Sequence, residues 1–306
     1  FTGWRANLAC QRAKRSCGSV MAETPNYFSL SDKDKIDALE TAASKLGRPA
    51  DLLEKDIWVV WALNALFDSV LGESLVFKGG TSLSKVYKAI NRFSEDVDVT
   101  YDIRKIIPDL IDDPEKSRLA IWLRDEVVPI LEGKIQNGGV DAKLRLVGDK
   151  LYLDYDAVRS GTGYVRPTVL LEFGARSTGE PASRHLVKCD LAEAQPRVMN
   201  AERTFWEKAT AIHAYCLRGA FRGGDRYARH WFDLDCLDHI GIADGALNDR
   251  ALATDVAEHK QHFFRETDSA GVVVDYEAAV MGSLCLVPKG EPLKALEEDY
   301  GKMIEA

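Results

Sequence analysis

The sequence predicts an α+β protein: a small mixed sheet flanked by helices, followed by a helical C-terminal lobe. Three observations support this reading. Residues 75–101, LVFKGGTSLSKVYKAINRFSEDVDVTY, run strand, paired glycines, helix, and a second strand bearing Asp96 and Asp98. Residues 142–174 hold further runs of strand character, and from Ala201 onward helical periodicity takes over. The expected division is an arm over 1–25, a core over 26–200, and a helical lobe over 201–306 that completes the site.

The chain has 306 residues, enough for a sizeable core. Its 40 Lys and Arg face 48 Asp and Glu, a net charge of −8. That argues against a general nucleic-acid binder but leaves room for a local basic patch. The cysteines, Cys10, Cys17, Cys189, Cys216, Cys236 and Cys285, show neither a CxxC pair nor metal-ligand spacing. They read as reduced thiols in a cytoplasmic protein. No apolar run approaches the roughly 20 residues of a membrane span, and no signal peptide is expected. Residues 1–20 carry Arg5, Arg12, Lys14 and Arg15 and no acid. The 1–25 arm is expected to be disordered or foreign to the fold.

Ser31 with Asp34 forms a capping box that opens a helix ending near Gly47. A second helix is expected from Ala50 to Leu71, with Ile57, Val60, Trp61, Asn64 and Leu66 toward the core. Its Glu54-Lys55-Asp56 run reads as an exposed ion-pair turn. Leu75–Phe77 is a buried strand, and Gly79 and Gly80 let the backbone turn and approach a ligand. Thr81 or Ser82 is expected to cap a helix over Leu83–Ile90, so that free N–H groups stand beside the glycines, a place for phosphate.

Asp96 and Asp98 alternate with Val97 and Val99, so both carboxylates share one face while both valines enter the core. Adjacent carboxylates resist ionising together, and a divalent cation such as Mg²⁺ relieves the conflict. A phosphate cradle beside such a pair is the equipment of nucleotidyl transfer. Each part alone has a plainer reading, as a turn or as a solvated strand end; their order together is the sharper signal.

Further on, a helix is expected from Asp112–Glu115 to Ile135, closed by Asn137-Gly138-Gly139. Runs Ala142–Val147 and Leu151–Tyr155 flank Gly148-Asp149 as a hairpin, and Val165–Gly174 is another strand. Glu172, among Leu170, Leu171 and Phe173, either faces solvent at a sheet edge or sits beside a cation. Arg176 could contact a phosphate or be a surface charge. Ala201–Leu217 is a strong helix with Ala201, Phe205, Lys208 and Ile212 along one face. Lys208 must therefore snorkel to solvent or reach an anion. Arg218, Arg222, Arg226 and Arg229 follow around Gly223-Gly224, either as an RNA or phosphate contact or as a solvated loop. Helices over 248–264, 276–285 and 292–304 read as solvated faces without chemistry.

FKGGTSLSK followed by RFSEDVDV resembles the signature of the DNA polymerase β-type nucleotidyltransferase superfamily and, more narrowly, the AbiEii/AbiGii toxin family. EKDIWV, ERTFWEK and RHWFDL resemble further elements of that family, in family order, across most of residues 30–240. Trp231-Phe232 stands where the family has two tyrosines. The resemblance implies a polymerase β-like core and transfer of a nucleoside monophosphate from an NTP, with Mg²⁺ or Mn²⁺ as cofactor. Asp96, Asp98 and Glu172 would hold the metal. Gly79, Gly80, Thr81 and Ser82 would hold phosphates, Lys208 would neutralise the triphosphate, and Asp233 would match the family's functional acid. It further implies an RNA acceptor, tRNA first, and an antitoxin of the transcriptional-regulator type. A drug-modifying nucleotidyltransferase and a silent nucleotide-binding protein are the competing readings. Ser94, two residues before Asp96, is a candidate for self-modification or inhibitory phosphorylation.

Overall fold

A computed structural model describes residues 26–91, 96–102, 116–158, 165–175, 177–189, 192–221 and 226–305. The 1–25 arm, Ser94, Arg176 and Arg222 lie outside the described residues, as does the expected helix start at 112–115.

The chain opens on helices α1 (Asp32–Leu46) and α2 (Ala50–Phe67), then β1 (Leu75–Lys78), α3 (Gly79–Lys85) and β2 (Val97–Tyr101). Helices α4 (Lys116–Trp122) and α5 (Val128–Gly138), joined by a π turn, lead into β3 (Ala142–Val147), β4 (Lys150–Tyr155) and β5 (Thr168–Gly174). Short strands follow: β6 (Ala182–Arg184), β7 (Val187–Cys189), β8 (Ala192–Ala194) and β9 (Arg197–Met199). Then come α6 (Ala201–Arg218), α7 (Ala228–His239), α8 (Ile242–Asn248), α9 (Arg250–Phe263), α10 (Tyr276–Ala278) and α11 (Glu291–Glu305).

A seven-stranded mixed sheet in the order β3-β4-β5-β2-β1-β9-β6 organises the molecule. The pairs β2–β5 and β1–β9 are parallel, while β1–β2 and β4–β5 are antiparallel. Alternation holds where the sequence predicts it: Val97 and Val99 are fully buried, and Asp98 between them faces the other way, half-buried. One core lies under the sheet and joins α2 residues such as Val60 and Leu63 to Phe77, Val99 and Leu171. A second core joins Leu83, Ala89 and Ile90, in and after α3, to Phe205, Trp206, Leu237 and Val256. Trp206 anchors this second core, fully buried, with Nε1 donating to the Ala246 carbonyl at 3.0 Å. The segment bearing the glycines therefore packs on the C-terminal lobe as well as on the sheet.

The Ser31 cap stands as predicted, with Asp34 N donating to Ser31 Oγ at 3.2 Å and Gly47 closing α1, while Ser31 Oγ donates to Asp34 Oδ2 at 2.7 Å. Elsewhere the structure departs from the sequence reading. Helix α3 begins at the glycines and ends at Lys85, because neither hydroxyl caps. Ser82 Oγ donates back to the Gly79 carbonyl at 2.8 Å, and Thr81 Oγ1 donates to the Asp96 carbonyl at 2.6 Å. Helix α2 stops at Phe67 and leaves Asn64 exposed. The Glu54-Lys55 turn is buried, each residue 3% exposed. Glu54 accepts from Tyr27 Oη at 3.2 Å and Val158 N at 3.1 Å, and burial holds its carboxyl above the usual range. Asp56 pairs with Lys85, which ties α2 to the end of α3. The expected helix over 276–285 is a single turn, α10, that passes into a π turn broken at Gly282. Strands β6–β9 and helix α8 escape the sequence reading; three-residue strands are too short to show alternation.

Candidate active site

The cleft lies where the sheet meets α6, α7 and α9, and it encloses about 290 Å³. That is near the lower end of the range for small-ligand sites.

Strand register builds its floor. Lys78 on β1 pairs with Asp98 on β2, Asp98 with Glu172 on β5, and Glu172 with Lys150 on β4. A single row across four strands therefore reads plus, minus, minus, plus. Lys150 Nζ lies 3.1 Å from Glu172 Oε1, with both groups partly in solvent. Asp98 is the strained member. Burial, together with the charges of Glu172 and Asp96, pushes its carboxyl up to about 6 against the opposing pull of Lys78 and Lys208. Asp96 lines the same cleft, half-buried, one residue before β2.

Gly79 and Gly80 line the cleft, and Gly79 has a structural reason to be glycine. Its φ is +81°, and an added Cβ would meet the Asp98 Cγ at 2.7 Å and Cβ at 2.8 Å. Gly79→Ala is expected to cost about 1–3 kcal/mol of stability and to push the Asp98 carboxylate out of place. Thermal melts check the first part; an alanine variant that melts like the parent would refute it. Thr81 and Ser82 are fully buried, their hydroxyls committed as described above. Of the four expected phosphate-holding residues, the cleft surface receives the two glycines.

Helix α6 supplies the opposite wall. Thr204, Glu207, Lys208, Ala211, Ala214 and Tyr215 share its cleft face, whereas Phe205, Ala209 and Ile212 enter the cores. Lys208 neither snorkels nor waits bare: Nζ lies 3.0 Å from Asp233 Oδ2, with side chains 11% and 0% exposed. Asp233 reaches it from α7, one turn beyond His230. His230 also lines the cleft; burial first, then the nearby Lys208, lowers its imidazole to about 3, so it is neutral at physiological pH. From α11, Asp299 accepts from Arg226 N at 2.8 Å and Ala228 N at 2.7 Å, capping the start of α7.

Sequence reasoning passed over Lys260 in a stretch taken for solvated faces. It is buried on α9, lines the cleft, and donates to the Glu207 carbonyl at 2.9 Å and Thr210 Oγ1 at 2.8 Å. Burial alone would raise the Glu207 carboxyl, but the charges of Lys260, Arg203 and Lys78 prevail and lower it. Arg203 is fully buried, with Nη1 donating to Asp255 Oδ2 at 2.6 Å and Nε to Ser177 Oγ at 3.1 Å. Lys78, adjacent to the glycines, was also missed; its role depends on pairing across strands. Of the expected RNA-contacting arginines, Arg229 lines the cleft and Arg226 is exposed beside it in sequence. Arg218 is partly buried instead and pairs with Glu266 at 2.9 Å.

The family described as nucleotidyl transferase AbiEii toxin, type IV TA system, matches residues 61–306. The chain belongs to the AbiEii nucleotidyltransferase toxin family. This AbiEii chain is thus a member of a family of toxin enzymes of type IV toxin–antitoxin systems, to which a nucleotide substrate and an antitoxin partner belong. Among solved structures, MenT4, a nucleotidyltransferase toxin from Mycobacterium tuberculosis H37Rv, is 18% identical, with a TM-score of 0.44 over 90% of this chain and 99% of its own. Comparison with curated proteins gives no match. Among the described residues no helix is long and apolar enough to cross a membrane.

The donor set suits Mg²⁺ or Mn²⁺ held through one or two carboxylates, with substrate phosphates as the other ligands. Asp96 and Asp98 offer hard oxygens, and Asp98 ionises only reluctantly without a cation beside it. Among the described residues no three acidic, imidazole or thiol groups already form a metal-ready cluster. Glu172 adjoins Asp98 in register but has Lys150 as its counter-ion.

Proposed function

We propose that this chain transfers a nucleoside monophosphate from an NTP to an RNA acceptor, the tRNA 3′ end first. The acceptor hydroxyl oxygen bonds to the α-phosphorus, the bond from that phosphorus to the bridging oxygen breaks, pyrophosphate leaves, and the hydroxyl proton passes to water. The observation that carries this reading is convergence. Asp96, Asp98 and Glu172 from the sheet, Gly79-Gly80 from α3, and Lys208 with Asp233 from the helical lobe all line one cleft.

In this reading Gly79 and Gly80 let phosphates approach the backbone. Lys208 exchanges part of its pairing with Asp233 for the triphosphate, and Asp233 keeps the ammonium aimed into the cleft when it is empty. Mg²⁺ or Mn²⁺, when bound at Asp96 and Asp98, supplies charge neutralisation at the reacting phosphate. Arg229, in the cleft lining, and the exposed Arg226 meet the acceptor's backbone phosphates. We place the reaction in the cytoplasm, controlled by an antitoxin of the transcriptional-regulator type.

The test is sequencing and mass measurement of RNA 3′ ends after incubation with each NTP, with Asp98→Ala as the control. Added nucleotides on tRNA that vanish in the control support the proposal. Unmodified RNA, alongside a nucleotidylated aminoglycoside, would transfer the reading to a small-molecule enzyme.

A further inference from the structure

The cleft is chemically two-ended, and the proposed function occupies only the charged end. Along α6 the cleft face runs from Lys208 past Ala211 and Ala214 to Tyr215. At 1.5 Å rise per residue, Tyr215 lies about 10 Å along the helix axis from Lys208. The two alanines between them leave the groove open, and Tyr215 presents a ring at its far end.

Glu266 stands at that end. Its backbone is fixed by a short hairpin, in which Val274 N donates to the Glu266 carbonyl at 2.9 Å and Thr267 bridges to Val273. Its side chain is fixed by Arg218, whose Nη2 donates to Glu266 Oε2 at 2.9 Å. The Arg218 side chain is 9% exposed and that of Glu266 27%. Arg218 also lies over the Tyr215 ring, 5.6 Å from its centroid. An arginine committed in this way does not reach out to nucleic acid. It holds a carboxylate in the wall of the cleft, and Glu266 and Tyr215 line that cleft together.

Resting on the nucleotidyl-transfer reading, we infer that this end receives the base of the donor NTP and that Glu266 selects bases bearing an exocyclic amino group over uracil. With the triphosphate at Lys208, the base falls toward Tyr215, whose ring, held by Tyr227 at 5.1 Å and His230 at 5.7 Å, forms the aromatic wall at that end. An ionised carboxylate accepts hydrogen bonds and cannot donate. The contact with Arg218 uses Oε2 and leaves Oε1 as the acceptor. Cytosine, adenine and guanine each offer an amino N–H. Uracil places a carbonyl oxygen where cytosine has its amino group, so oxygen would face oxygen. A site built around one hydrogen bond discriminates well against the analogue that lacks it, because the protein's own polar group is left unmatched.

CTP and UTP are the decisive pair, since they share shape and charge. Isothermal titration of the full chain with each, in Mn²⁺, should show CTP binding at least about tenfold more tightly than UTP. Glu266→Gln, whose amide can turn to offer a donor or an acceptor, should bring the two within about threefold, chiefly by improving UTP. A melting curve for the variant establishes that the fold is kept, and the wild-type ratio is informative by itself. Equal affinities in the wild type, or an unchanged ratio in Glu266→Gln, would overturn the assignment of Glu266. If all four NTPs bind alike and are transferred, only the base assignment falls. If no NTP binds, the nucleotidyl-transfer reading falls with it.

Discussion

Asp98→Asn is expected to abolish transfer while raising the melting temperature of the metal-free protein at neutral pH. Burial, first of all, pushes the folded carboxyl up to about 6, well above the ordinary aspartate range near 3.8. Between those values the folded state binds more protons than the unfolded one, so stability falls as pH rises through that window. Above about 6 the penalty is fully present, roughly 1–3 kcal/mol at pH 7 once partial solvation of the group is allowed for. Burial is its largest cause, Glu172 and Asp96 add to it, and Lys78 and Lys208 oppose it. An amide removes the charge at almost constant volume, so the variant should melt a few degrees higher at pH 7 and show little gain near pH 4. If, as proposed, this carboxylate holds the metal ion, its loss should reduce turnover by about 10³-fold or more. Melts in a chelator at both pH values, with a pyrophosphate-release assay, read both effects. A variant less stable than the parent at pH 7 would contradict the picture of a carboxylate penalised by burial and by its acidic neighbours.

Asp233→Ala is expected to destabilise the protein by about 3–5 kcal/mol, because it leaves the Lys208 ammonium buried without its partner. Lys208→Met should cost a similar amount, since Asp233 is fully buried. The double variant Lys208→Met/Asp233→Leu should recover most of that stability and none of the activity. Urea unfolding of the three variants forms a double-mutant cycle whose coupling term isolates the pair. A coupling near zero would mean that the two side chains do not meet. This separates the pair's structural part, which hydrophobic groups can replace, from its chemical part, which they cannot.

Local signals carried much of the fold. The Ser31 capping box, the Val97/Val99 alternation, the Gly148 hairpin and the periodicity of α6 each depend on residues a few positions apart, where sequence pattern and geometry coincide. The missed features depend on distant partners. Glu54 reads as a surface acid until Tyr27 and the Val158 amide close over it. Lys260 sits in a stretch rich in exposed charge, and only the packing of α9 on α6 buries it. Thr81 and Ser82 have the chemistry of a helix cap, yet the carbonyls of Asp96 and Gly79 engage them first. The charged row from Lys78 to Lys150 spans four strands, and no spacing along the chain encodes which residues stand side by side.

The Asp299 cap on α7 has a consequence for the order in which the cleft is completed. In the order of synthesis Asp299 follows well after the carboxylates of the sheet and the lysine of α6. Until then the amides of Arg226 and Ala228 lack their acceptor and the helix bearing Asp233 lacks its brace. The helix that carries the partner of Lys208 is thus completed by a segment that the chain supplies well after the rest of the cleft.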